Sequence, residues 1–269
     1  MKNVSVLFYL SIFGILLYSG CSNQYNPVGP EQNSGMLKIQ MIDSPGNFSE
    51  VNIVIDSVQA HISTSDSTSG WFTLNNKPAT YDLLKLVNGV NAVIGSDTLQ
   101  AGNYSQIRLY VGSGSNVVIG KQTFNLKTPS GSHSGIKLNV DATVEAGVAY
   151  TLTLDFDAAR SIVKTGSPFK SKYILKPVIR VAAAATTGII SGAVSPDSIA
   201  ATVWAIAGTD SVSTSTDAAG GFLLQYLPPY TYSVYIAPKD TSYKDTTITN
   251  ISVSASKTNN IGTVVLTHK

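Results

Sequence analysis

The chain has 269 residues, enough for two ordinary domains, and 13% of them are charged, against about 25% in ordinary soluble proteins. A net charge of +2 gives no field for nucleic acid, and a lone cysteine excludes an internal disulfide. Three histidines and one cysteine fall short of a zinc site, and no cofactor is expected.

The N-terminus reads as a targeting segment. Lys2 supplies a positive charge, and residues 4–18 form an apolar run too short for a comfortable membrane span. Ser19, Gly20 and Cys21 follow. This run resembles the lipobox of bacterial lipoproteins, although Tyr18 stands where that family usually has Leu. The resemblance implies a signal peptide over 1–20, with Cys21 lipidated as the first mature residue and anchoring the protein to a membrane. Ser22, in place of the Asp that retains such proteins at the inner membrane, implies the outer membrane, facing the periplasm or the cell surface. Residues 21–35 are polar and Gly/Pro-containing, a flexible tether without a core.

Short strands follow at close spacing. Residues 36–42 and 51–62 read as strands around the turn former Asp43-Ser44-Pro45-Gly46. Further strands are expected at 71–74, 104–111, 116–119, 122–126 and 135–140, with Asn88-Gly89 and Ala101-Gly102-Asn103 as turns. Residues 81–87 fit a helical turn or a short strand equally well.

The stretch 150–181 closes this series. Tyr150, Leu152, Leu154 and Phe156 alternate with Thr151, Thr153, Asp155 and Asp157, which puts an apolar face against a polar one. After a connection, residues 173–180 alternate again, with Pro177 marking an edge or a bulge. The small residues 182–187 then form a boundary, and seven more short strands are expected over 188–266. The fold class is all-β, two β-sandwich domains in tandem over 36–181 and 188–269, the second immunoglobulin- or transthyretin-like.

Two resemblances cover these halves. Asp43-Ser44-Pro45, Tyr81-Asp82-Leu83-Leu84, Ala101–Tyr104, and above all residues 154–163 and 175–180, make 36–181 resemble a bacterial lipoprotein family known as domain of unknown function 4382. That family implies no activity. Residues 188–194, 216–222 and 227–232 are similar to carboxypeptidase regulatory-like domains, which implies a non-catalytic module grouped with carbohydrate-binding-like sandwiches.

Few residues offer chemistry. Asp155 and Asp157 lie two apart on one strand face and could converge on calcium, with Asn139, Asp141 and Glu145 adding oxygens. The expected reading is structural instead, with Asp157 capping the turn at 158–160 and Asp155 pairing with a cross-strand base. Gly131-Ser132-His133-Ser134-Gly135 has His where a nucleophile elbow needs Ser, so no enzyme is expected. Arg160, Lys164, Lys170, Lys172, Lys176 and Arg180 form a basic run that suits a solvated face or anionic headgroups. Trp204, Tyr230 and Tyr232 are the aromatic residues a glycan site could use, unless Trp204 fills the core. The expected function is a non-catalytic cell-envelope lipoprotein presenting two β-sandwich modules for binding or scaffolding. The alternative is a carbohydrate-binding accessory lipoprotein. An envelope protein or a glycan is the expected partner, beside the membrane.

Overall fold

Alternation of apolar and polar residues dominates the chain, and the computed structural model, which describes residues 33–44, 46–129, 134–167 and 170–269, turns it into twenty strands. In chain order they are β1 (Ser34–Ser44), β2 (Glu50–Ile62), β3 (Trp71–Asn75), β4 (Ala79–Asp82), β5 (Ala92–Gln100), β6 (Gly102–Val111), β7 (Asn116–Ile119), β8 (Gln122–Lys127), β9 (Ile136–Val144) and β10 (Ala149–Asp157). A one-turn helix, α1 (Ala158–Ser161), precedes β11 (Ile162–Ser167), β12 (Lys170–Leu175) and β13 (Ile179–Ala183). The remainder are β14 (Gly188–Ser195), β15 (Ala201–Ala207), β16 (Asp210–Ser215), β17 (Gly221–Leu227), β18 (Thr231–Pro238), β19 (Thr246–Ser252) and β20 (Thr258–Val265).

The protein is all-β and builds two sandwiches. In the first, a four-stranded sheet ordered β13-β10-β1-β5 packs on a nine-stranded sheet that runs β11-β12-β8-β7-β2-β6-β9, with β3 and β4 also paired to β2. Leu37, Ile39 and Met41 of β1 and Leu152, Leu154 and Phe156 of β10 bury one face against Ile53, Ile55, Ile107 and Leu109. In the second, the sheets β17-β14-β20 and β16-β15-β18-β19 enclose Ile190, Val203, Phe222, Leu224, Val234 and Ile236.

The stretch 150–181 differs from its sequence reading. The expected connection is itself a hairpin of β11 and β12, and the strand expected through 173–180 is two strands in different sheets. Pro177 has no N–H to keep one ladder running. The fully buried Ser161 fixes the crossing instead: its carbonyl accepts from Lys176 N at 2.8 Å and its Oγ from Val178 N at 2.8 Å. Strand β5 was not expected at all, because only two short apolar groups mark it. It is an edge strand on β1, and Gly95 lets it close on Leu74 and Val58, where an added Cβ would meet their Cβ atoms at 3.1 and 3.3 Å. The ambiguous segment 81–87 ends β4 and then makes a 3₁₀ turn at Leu83–Lys85.

Candidate functional site

Strand β10 is buried on both faces. Leu154 and Phe156 enter the first core as the alternation requires, yet Thr153 and Asp155 on the other face are 0% and 6% exposed. The cover is the second sandwich. Gln40 on β1, in register with Thr153, donates to Thr153 Oγ1 at 2.9 Å and to the hydroxyl of Tyr226 at 2.7 Å. Arg180 on β13 lies directly across from Asp155, and its Nη2 and Nε reach Asp155 Oδ2 at 2.6 and 3.2 Å. Its Nη1 donates to the main-chain carbonyl of Tyr226. Tyr226 holds a left-handed backbone, φ 57°, at the point where both bonds arrive. A non-glycine residue there stores strain that the junction contacts offset.

A second fastening lies at the Asn88-Gly89 turn. Asn88 Nδ2 donates to the carbonyl of Gly221 at 3.2 Å, and its Oδ1 accepts from Leu223 N at 2.6 Å. The side chain thus takes the place of a neighbouring strand along β17, an edge strand that would otherwise present open groups. Asn88 N donates to Thr214 Oγ1 as well.

Between the sandwiches, beside Arg180, opens a cleft of about 250 Å³. Asp155, Arg180 and Val178 line it from the first sandwich, and Val212, Tyr230 and Tyr232 from the second. Asp157 and Arg160 line it as well. Asp157 caps α1, its Oδ1 accepting from Arg160 N at 2.8 Å and its Oδ2 from Arg160 Nε at 2.6 Å. Burial raises the Asp155 pKa and the Arg180 guanidinium opposes that rise. Burial raises the Tyr232 hydroxyl too.

The structure therefore brings Asp155, Asp157, Tyr230 and Tyr232 to one place, though not grouped as the candidate metal and glycan sets. Both aspartates are engaged by arginines, the pairing and capping expected from sequence, but Asp155 is buried and not on a solvated face. Asn139 and Asp141 lie on β9, apart from them and lining a different groove. Among the described residues no group of three His, Cys, Asp or Glu is placed to hold a metal ion. Tyr230 is 63% exposed, while Tyr232 is buried and donates its hydroxyl to the Pro228 carbonyl at 2.9 Å. Trp204 neither fills the core nor reaches the cleft. It lies on the outer face of β15, its ring 5.5 Å from that of Tyr235. In the basic run Arg160 and Arg180 make the ion pairs just described, and Lys164, Lys172 and Lys176 are exposed. Cys21, His133 and the side chain of Lys170 lie outside the described residues.

Sequence reasoning missed Gln40, Asp43, Asn88 and Tyr226. Asp43 ends the apolar series of β1 and is 4% exposed. Its Oδ1 accepts from Ala158 N at 2.9 Å, while its Oδ2 has no hydrogen-bond partner. Burial pushes its pKa well above the usual carboxylate range, and Asp155 and Asp157 add to the rise against the Ala158 bond. Asp43 joins two of the stretches that carry the first resemblance, 43–45 and 154–163, so those motif residues staple the fold. The one signal for Gln40 was a polar residue directly between the apolar Ile39 and Met41.

No curated protein matches the chain. Among solved structures, a type II cohesin–X-dockerin complex from Acetivibrio cellulolyticus is 24% identical over 30% of this chain and 58% of its own, with a TM-score of 0.25. The minor pilin of Streptococcus agalactiae is 11% identical over 86% of this chain and 96% of its own, TM-score 0.22. A shaft pilin mutant from Lactobacillus rhamnosus GG is 8% identical over 88% and 98%, TM-score 0.24. At TM-scores this low the three likenesses carry no argument about this chain. A family model matches residues 34–177, more than half of the chain, and the protein belongs to the family described as domain of unknown function DUF4382.

Proposed function

We propose that the protein is a non-catalytic cell-envelope lipoprotein, held at the outer membrane by a lipid on Cys21, that presents its two sandwiches for binding. The junction cleft carries the binding part of this reading. It is concave, it draws its lining from both sandwiches, and among the described residues no histidine or cysteine lines it. The lipobox-like run supports the anchor, and the matched family, whose description assigns no activity, is compatible with a binding role. The likeness of residues 188–266 to carboxypeptidase regulatory-like domains, beyond the family match, belongs to the same proposal.

Two measurements test it. Cys21→Ser should release the chain from the membrane fraction and abolish metabolic acyl labelling; an unlabelled wild type that stays with membranes sinks the anchor. Full chain purified from envelope extract should bring down a partner, and Ser211→Trp, an exposed position lining the cleft, should lose it. A partner held equally by both proteins places binding elsewhere.

A further inference from the structure

The chemistry of the cleft narrows its ligand, given that the cleft binds at all. Among the described residues, its charged groups are three carboxylates, Asp155, Asp157 and Asp210, and two guanidiniums, Arg160 and Arg180. Two of the carboxylates are ion-paired to the two arginines. Asp210 is left over and gives the lining a net charge of −1, which disfavours an anion, while a cation entering beside Arg180 meets its guanidinium, so a neutral ligand suits this floor best. The polar floor is unsaturated in a particular way. Arg180 uses three of its five N–H groups, two on Asp155 and one on Tyr226, which leaves one N–H on each Nη. Both of its bonds to Asp155 fall on Oδ2, which leaves Oδ1 as an acceptor alongside. A donor beside an acceptor matches a pair of neighbouring hydroxyls, each of which donates and accepts. The walls are aliphatic at Val178 and Val212, and the exposed ring of Tyr230 stands among them as a surface to stack on. The volume, about 250 Å³, lies just under the ~300–1,000 Å³ of small-molecule sites, which suits one ring with its neighbours outside.

We infer that the cleft between the two sandwiches binds a single neutral sugar ring of a glycan, with paired hydroxyls on Arg180 and Asp155 and the apolar face of the ring on Tyr230.

The test uses full chain in a non-glycosidic detergent, titrated calorimetrically with a neutral hexose tetramer, a uronic-acid tetramer and a glucosamine tetramer. The neutral tetramer should bind at least about tenfold more tightly than either charged one. Tyr230→Ala should weaken it by about tenfold, Tyr230→Phe should leave it within about twofold, and Trp204→Ala should have no effect. Tyr230 is exposed, so its variants report on stacking and not on folding. Tighter binding of a charged tetramer, an indifferent Tyr230→Ala, or no binding of any tetramer overturns the sugar assignment. If in the last case Ser211→Trp still loses the envelope partner, the cleft keeps its binding role with a non-sugar ligand; if it does not, both readings fall.

Discussion

The ion pair in the doubly buried face of β10 makes a directional prediction. Asp155 is 7% exposed at its side chain and Arg180 34%. Removing the arginine strands a carboxylate with little access to water. Removing the carboxylate leaves a guanidinium that keeps the Tyr226 carbonyl and part of its hydration. Breaking a fully buried pair costs about 3–5 kcal/mol and an exposed one about 0–1. Arg180→Met should therefore cost about 2–4 kcal/mol at neutral pH, and Asp155→Asn about 1–2. In the Arg180→Met background Asp155→Asn should cost nothing or stabilise, giving a coupling of about 1–3 kcal/mol. Burial already raises the Asp155 pKa and Arg180 holds it down, so losing Arg180 raises it further. The unfolded chain then loses this proton at lower pH than the folded one, and the variant should lose stability as pH rises out of the carboxylate range. Each sandwich carries one tryptophan, Trp71 in β3 and Trp204 in β15. Urea melts in a Trp204→Phe background thus follow the first sandwich through Trp71 alone. Equal costs for the two single variants, or additivity within about 0.5 kcal/mol in the double, would refute the argument.

Other expectations follow from the same packing. Phe156 is fully buried, and Phe156→Ala should cost about 3–5 kcal/mol in those melts; a loss under about 1 kcal/mol would contradict its place in the core. Asp43→Asn should flatten the fall in stability as pH rises above the ordinary carboxylate range, because Asp43 keeps its proton in the fold above the range where the unfolded chain loses it. An unchanged pH profile would mean that Asp43 titrates normally. A fragment of residues 188–269 has its own core and should melt cooperatively, but below the second sandwich of the whole chain; Asn88→Ala in the whole chain should reproduce part of that gap, and an unshifted Trp204 transition would show that the Asn88 contacts add nothing.

Much of the fold was legible because local alternation decides it. Strands β2, β6 and β10 follow from period-two patterns bounded by turn residues, and their apolar faces point where the pattern sends them. Legibility fails where a distant partner supplies the reason. Strand β5 has too few apolar residues to announce itself and exists because β1 offers an edge. The break at 176–178 was half legible: Pro177 marks an irregularity, but only the buried Ser161, reached through the fold, decides that the chain changes sheets there.

The site was less legible than the fold for a related reason. Alternation tells which residues share a face, and it assigned Asp155 to the face away from the first core. A polar residue on such a face is ordinarily solvated, and sequence has no means of saying that a second sandwich will cover it. The covering surface is made by Tyr226, whose strained backbone and hydroxyl serve the junction, and by Asn88, which resembles any Asn-Gly turn until β17 is beside it. Once that surface arrives, Asp155 changes from a surface charge into a buried one that needs Arg180, and Arg180 changes from one member of a basic run into the link between sandwiches. The cleft is what remains where the cover stops short, at Tyr230. Its polar groups are therefore held by the folding of both sandwiches before any ligand arrives, which is the condition for binding at low ordering cost.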